Sequence, residues 1–252
     1  ASYDVASMCK TSTKVFVLEV MGRHAGWIAA AGAMASTEDH EIPIVVLFPE
    51  VKFNQTKFLK AVKEKVQKFG YCSVVVSEGV AWPNGKFLAE TGLKDAFGHS
   101  QLGGAAPVVA EMIQSKLGYK YHWAVADYLQ RAARHIASKS DVEQAYATGK
   151  AAVEYAIKGH NSVMPAIKRT SNKPYRWKIE MAPLKRVANV EKMMPKSLIS
   201  KYVFCITKKC RDYLEPLIRG EEYPAYNKNG LPKYVQLKKV MVHKKCPDFK
   251  MK

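Results

Sequence analysis

Over the first 170 residues, short β-branched apolar runs alternate with stretches of helical periodicity, and few folds accept that alternation. Val15–Val20 (VFVLEV), Ile42–Phe48 (IPIVVLF) and Ser73–Val76 read as strands. Ala25–Ser36 is a small-residue stretch suited to a tightly packed helix. Thr56–Phe69 sets Phe58, Leu59, Val62, Val66 and Phe69 at the three- and four-residue spacing of an amphipathic helix. Further on, Ala106–Leu117 predicts a helix after the turn Gly103-Gly104, and Trp123–Leu129 a fourth strand. Asp141–Ile157 predicts a helix capped by Ser140 or Asp141 that ends near Gly159, and Ser162–Ile167 a short strand. Strands apolar on both faces and joined through helices form a parallel sheet sandwiched by helices. The expected fold class is therefore α/β. After residue 170 seven prolines (Pro174, Pro183, Pro195, Pro216, Pro224, Pro232 and Pro247) interrupt the pattern. A helical, irregular extension is expected there, packing on the same or a neighbouring domain.

Composition narrows the function classes. With 48% apolar and 25% charged residues the chain is of ordinary globular type rather than disordered. Its longest mostly apolar stretch, Ala25 to Ala35, is about half of a bilayer span, and residues 1–12 lack the layout of a secretory signal. Cys9, Cys72, Cys205, Cys210 and Cys246 form no C-x-x-C pair, so neither a disulfide framework nor a cysteine zinc site is expected. His40, His99, His135, His160 and His243 show no metal-ligand spacing. These features point to a reduced, cytoplasmic protein with no membrane partner. Charge is uneven: residues 1–150 carry 17 basic and 14 acidic side chains, and residues 151–252 carry 23 and 8. A basic half attracts phosphate, whether on nucleic acid or on small phosphorylated ligands, or is simply a solvated lysine surface. The basic residues are scattered and match no nucleic-acid module.

Ligands of parallel sheets bind beyond the carboxyl ends of the strands, so the loops there carry the chemistry. VFVLEV runs into Met21-Gly22-Arg23-His24-Ala25-Gly26-Trp27 and then a helix. Gly22 permits close backbone approach, and a helix start beside Arg23 favours an anion; a tight turn with a surface arginine is the plainer alternative. Ser77-Glu78-Gly79 offers a carboxylate for sugar hydroxyls, or merely a solvent-facing glutamate. In Asp127-Tyr128-Leu129-Gln130-Arg131, Arg131 can clamp a phosphate while Tyr128 donates its hydroxyl, or Arg131 can pair with Asp127. Gly98-His99-Ser100-Gln101-Leu102-Gly103-Gly104 reads as a structural turn.

The string Thr11–Trp27, with its core Glu19-Val20-Met21-Gly22-Arg23-His24-Ala25-Gly26, strongly resembles the phosphofructokinase family, most closely its pyrophosphate-dependent branch. Val76-Ser77-Glu78-Gly79 and Tyr128-Leu129-Gln130-Arg131 follow in the family's order. The resemblance implies a phosphofructokinase-like, Rossmann-like substrate domain over residues 1–170 that binds fructose 6-phosphate. It implies that Met21, Gly22 and Arg23 hold the sugar, with Arg23 beside the transferring phosphoryl group. Glu78 binds sugar hydroxyls, Tyr128 and Arg131 hold the 6-phosphate, and Gln130 is a further substrate-binding position. Lys14 reaches the sugar phosphate of an adjoining subunit, and His122 falls near another cross-subunit position, so a homo-oligomer is expected. A catalytic role for His24 is not expected, because its ring points away if Arg23 points in.

The family's Gly-Gly-Asp donor segment and its Thr-Ile-Asp-Asn-Asp type segment are absent from this sequence. The resemblance thus implies that the chain is the carboxyl-terminal portion of a longer glycolytic enzyme. The complete enzyme would transfer phosphoryl in line to the 1-hydroxyl of fructose 6-phosphate, giving fructose 1,6-bisphosphate. An aspartate outside this chain would serve as base, and Mg²⁺ would be held by ligands also outside it. Pyrophosphate is the donor to which these motifs lean. The alternatives are an ATP-dependent enzyme and a non-catalytic sugar-phosphate-binding subunit.

Overall fold

The computed structural model describes residues 1–94, 100–102, 104–201, 204–243 and 245–247, with backbone alone for 91–94 and 100–102. In chain order the elements are α1 (Ser2–Met8), β1 (Val15–Val20), α2 (Trp27–Gly32), β2 (Ile44–Leu47), α3 (Gln55–Phe69), β3 (Cys72–Ser77), β4 (Glu90–Lys94) and β5 (Ser100–Leu102). They continue with α4 (Ala105–Leu117), β6 (Tyr121–Val125), α5 (Leu129–Ala132), α6 (Lys139–Ile157), β7 (Val163–Asn172), β8 (Tyr175–Pro183) and α7 (Lys208–Leu214).

Four of these strands form a parallel sheet in the order β2-β3-β1-β6. Alternate residues of the apolar runs point to opposite faces, and both faces are covered. Val15, Val17, Val45, Leu47, Val74 and Val76 pack against the apolar stripe of α3 and against α4. Ile44, Val46 and Val75 pack on the other face against Ala29, Ala30 and Ala33. Burial on both faces is why these strands carry no polar alternation. The same second layer takes Met194, Leu198, Ile199, Cys210 and Leu214, so the proline-rich carboxyl-terminal segment closes over the sheet. The alanines of α2 let it lie close: a Cβ on Gly32 would approach the Val75 side chain to 3.0 Å.

Several boundaries differ from expectation. The fourth strand is Tyr121–Val125, not Trp123–Leu129. Ala126 N–H makes a last bond to the Glu19 carbonyl, and Asp127 then turns the chain at φ +38° into α5. Helix α6 begins at Lys139 and is capped by Ser138, whose hydroxyl accepts from Asp141 N–H at 3.2 Å, rather than by Ser140 or Asp141. The segment Ser162–Ile167 does not join the parallel sheet. It is the start of β7, which pairs antiparallel with β8 in a separate hairpin that runs across residue 170. The alternating Tyr175-Arg-Trp-Lys-Ile-Glu-Met is the signal of that second strand. Within the Gly98–Gly104 segment expected to be a turn, Ser100–Leu102 is instead strand β5, paired antiparallel with β4, and residues 98, 99 and 103 lie outside the described residues.

Candidate functional site

Because β1 lies between β3 and β6, the loops at the carboxyl ends of three adjacent strands meet. Backbone bonds lock the first two together: Glu78 N–H donates to the Val20 carbonyl at 3.0 Å, and Gly79 N–H to the Gly22 carbonyl at 3.3 Å. Ser77 Oγ donates to the same Gly22 carbonyl. This crossing has no room for side chains. Gly22 has φ +142°, and a Cβ there would lie 2.6 Å from both the Ala25 carbonyl oxygen and Ser77 Oγ.

On this frame the polar side chains take definite places. The half-buried Glu78 accepts the Gly22 N–H at 3.1 Å, so it is not simply a solvent-facing turn residue. Gln130 reaches across from the third loop, its Oε1 accepting the Met21 N–H at 3.4 Å. Its Nε2 is buried and has no partner among the described residues, which leaves a donor at the loop junction for a ligand oxygen. Arg131 makes no ion pair with Asp127 among the described residues; its guanidinium stacks 4.5 Å from the Tyr128 ring centroid, and both are exposed. Arg23 is half-buried with no hydrogen bond or ion pair among the described residues, so its charge is available to an anion.

Two carboxylates that sequence reasoning did not single out hold the frame. Glu19 is only 5% exposed, and its Oε2 accepts Ala106 N–H at 2.8 Å, supplying the start of α4 with a side-chain acceptor. Desolvation pushes its carboxyl above the ordinary range, against the opposing pull of the Ala106 and Ala105 N–H groups, while Glu78 and Asp127 add weaker repulsion. A lone charge inside an apolar strand was the signal. Glu50 Oε1 accepts Gly26 N–H at 2.9 Å and Met194 N–H at 3.0 Å, joining the start of α2 to the carboxyl-terminal segment. His24 points to that segment too, 2.7 Å from Glu191 at the surface.

Lys14 and His122 are not brought to these loops. Lys14 precedes β1, roughly 20 Å from Met21 at the strand's rise per residue, and its ammonium donates to the Cys9 carbonyl. His122 pairs with Phe16 near the same end of the sheet. No group of three or more His, Cys, Asp or Glu side chains suited to a metal ion occurs among the described residues. No described helix is long and apolar enough to cross a membrane. One cavity of about 820 Å³ lies beside β2 and α3, and its walls include none of these loop residues.

Loops of this kind over the carboxyl edge of a helix-covered parallel sheet define an α/β protein of the type that takes its ligands at the strand ends. The sequence model for phosphofructokinase matches residues 2–156. The chain belongs to the phosphofructokinase family. It is 64% identical over 245 residues to the pyrophosphate–fructose 6-phosphate 1-phosphotransferase of Methylococcus capsulatus, covering 97% of this chain and 58% of that protein. The enzyme of the same name from Halomonas elongata is 60% identical, covering 100% of this chain and 60% of the relative. Among solved structures, the pyrophosphate-dependent phosphofructokinase of Nitrosospira multiformis superposes with a TM-score of 0.86 at 63% identity, over 99% of this chain and 59% of that one. The chain thus spans about 60% of the length of these relatives.

Proposed function

We propose that this chain is the sugar-phosphate-binding portion of a pyrophosphate-dependent 6-phosphofructokinase, which phosphorylates fructose 6-phosphate at O1. One observation carries this reading: the strand-end loops bearing Met21-Gly22-Arg23, Glu78 and Tyr128–Arg131 interlock through Gly22–Glu78 and Met21–Gln130 contacts. In that arrangement the residues 1–170 supply the substrate domain, and 171–252 brace it. Glu78 and the loop backbone receive sugar hydroxyls. Arg131 and Tyr128 hold the 6-phosphate, with Gln130 Nε2 as a further donor. Arg23 stabilises charge developing on the phosphoryl group as it moves, the dominant contribution in such reactions. No carboxylate here is assigned to take the 1-hydroxyl proton; that base, the pyrophosphate site and the Mg²⁺ ligands come from outside residues 1–252. Lys14 and His122, at the other end of the sheet, serve the sugar phosphate of an adjoining copy, so the working enzyme is a homo-oligomer. A place in glycolysis and in the cytoplasm follows from this reaction class.

Calorimetric titration of the chain with fructose 6-phosphate tests the reading, with glucose 6-phosphate and inorganic phosphate as comparators. Selective binding, weakened about tenfold or more in Arg131→Ala, is expected for loss of a charge-assisted phosphate contact. If the complete-length protein, carrying the segment its relatives have, bound fructose 6-phosphate no better than glucose 6-phosphate, the reading would fail.

A further inference from the structure

A second cavity, of about 670 Å³, opens where the start of α2, the β7–β8 turn and α7 come together. That volume falls in the range of small-ligand sites, roughly 300–1,000 Å³. Its lining residue Trp27, at the start of α2, follows the loop that holds Arg23, while Arg23, Glu78 and Arg131 themselves do not line it. One wall is aromatic: the Trp27 and Tyr213 rings pack 5.6 Å apart, and Trp27 Nε1 is anchored to the Lys192 carbonyl at 2.8 Å.

The rim is cationic. Lys173, Lys192 and Lys209 line the cavity, and none makes an ion pair among the described residues, although the Lys192 ammonium lies 5.9 Å from the Trp27 ring centroid and Lys173 is a minor contributor to lowering the Glu215 carboxyl. The one carboxylate on the rim, Asp212, is already paired with Lys208 at 3.7 Å. Behind the aromatic wall, Arg169 adds a fourth positive charge. Its guanidinium stacks between Tyr175 and Tyr213, and it donates through Nη1 to the Tyr213 carbonyl at 2.7 Å. Its Nε and Nη2 are buried without partners. Like charges converging on a concave surface raise the local concentration of counter-anions, and compact ammonium groups suit phosphate oxygens.

We propose that this cavity is a binding site for a small multiply charged phosphate anion, separate from the strand-end loops. The anion would neutralise Lys173, Lys192 and Lys209 together. No single-charged carboxylate could do that, and the three lysines are part of the excess basic charge of residues 151–252.

Inorganic pyrophosphate is the probe, titrated calorimetrically into the chain carrying Arg23→Ala/Arg131→Ala, so that the arginines of the strand-end loops do not contribute. Saturable binding is expected, with Kd rising about tenfold or more in Lys173→Glu/Lys209→Glu. A charge-matched control, Lys233→Glu/Lys238→Glu, lies on the exposed carboxyl-terminal segment and should leave Kd within about twofold. Circular dichroism reports folding of each variant, and Lys173→Gln/Lys209→Gln replaces the reversal pair if that pair does not fold. Absence of saturable binding overturns the proposal. So does an unchanged Kd in the Lys173/Lys209 variants, or an equal loss in the control, which would mark a diffuse surface field.

Discussion

Gly79 passes so close to Arg23 that a Cβ on the glycine would lie 1.6 Å from the Arg23 carbonyl oxygen. Two loops from neighbouring strands therefore cross backbone to backbone, and this crossing sets where the Arg23 side chain emerges. Gly79→Ala must push the loops apart. A loss of stability of about 1–3 kcal/mol is expected, in the range of overpacking, together with loss of fructose 6-phosphate binding. Chemical denaturation and calorimetry on the same variant check both. Unaltered binding would mean that the loop crossing does not shape the site.

Arg23 makes no hydrogen bond or ion pair among the described residues, so its removal should spare the fold. Arg23→Ala should shift stability by no more than about 0.5 kcal/mol. In the complete-length enzyme it should lower turnover by about 10²-fold, as expected for loss of a transition-state donor. Steady-state kinetics showing unchanged turnover and affinity would displace the site from this loop.

Glu19 makes stability depend on pH in a stated direction. Burial raises its pKa in the folded protein, so the native state keeps a proton that the unfolded chain has already lost. The stability this group contributes is complete below about pH 4, the unfolded carboxyl value, and is lost as pH rises through the raised native pKa. Glu19→Gln keeps an acceptor for Ala106 but cannot ionise. Its stability relative to the parent should therefore improve as pH rises above about 4. Urea melts at a series of pH values from there upward read the difference directly; a flat difference would show that the carboxyl is not perturbed.

Glu50 joins Gly26 and Met194 through one oxygen, two residues that are far apart in the chain. Glu50→Ala leaves both N–H groups without an acceptor and should destabilise by about 2–6 kcal/mol, at about 1–3 per buried orphan. Glu50→Gln retains the acceptor and should recover most of that loss. Thermal melts rank the three proteins, and hydrogen exchange at Met194 should rise in the alanine variant alone.

The cysteines are free and differ sharply in environment. Burial pushes the Cys72 thiol up to about 12 and the Cys210 thiol up to about 11, whereas Cys246 is exposed. Thiolate is the reactive form. Iodoacetamide at pH about 8 should label Cys246 and reach Cys72 and Cys210 only after unfolding, as peptide mass mapping would show. Early labelling of Cys72 would contradict the packing of β3.

Strands β1, β2 and β3, helices α2, α3, α4 and α6, and the loops between them were legible in the sequence because they depend on local pattern, whereas the short elements α1, β4, β5 and α5 were not. An apolar run buried on both faces looks the same wherever its partner lies, and a 3.6-residue stripe marks α3 without reference to the sheet. The hairpin β7–β8 escaped because its alternation crosses a proline-punctuated region and its faces are only half-covered. The ends of β6 and α6 escaped for a different reason. A backbone bond from Ala126 to Glu19 and a cap from Ser138 decide them, and propensity shows neither.

Residue chemistry was thus set by the chain itself: glycines at Gly22 and Gly79, carboxylates at Glu19, Glu50 and Glu78, arginines at Arg23 and Arg131. Which atoms meet was decided only by tertiary structure. Gln130 finds Met21 across 109 residues, Glu50 finds Met194 across 144, and Lys14 is left at the far end of its own strand from Arg23. The physical reason is that a buried polar atom must find a hydrogen-bond partner within about 3 Å. That partner is chosen by how the layers pack, and sequence neighbours carry no record of it.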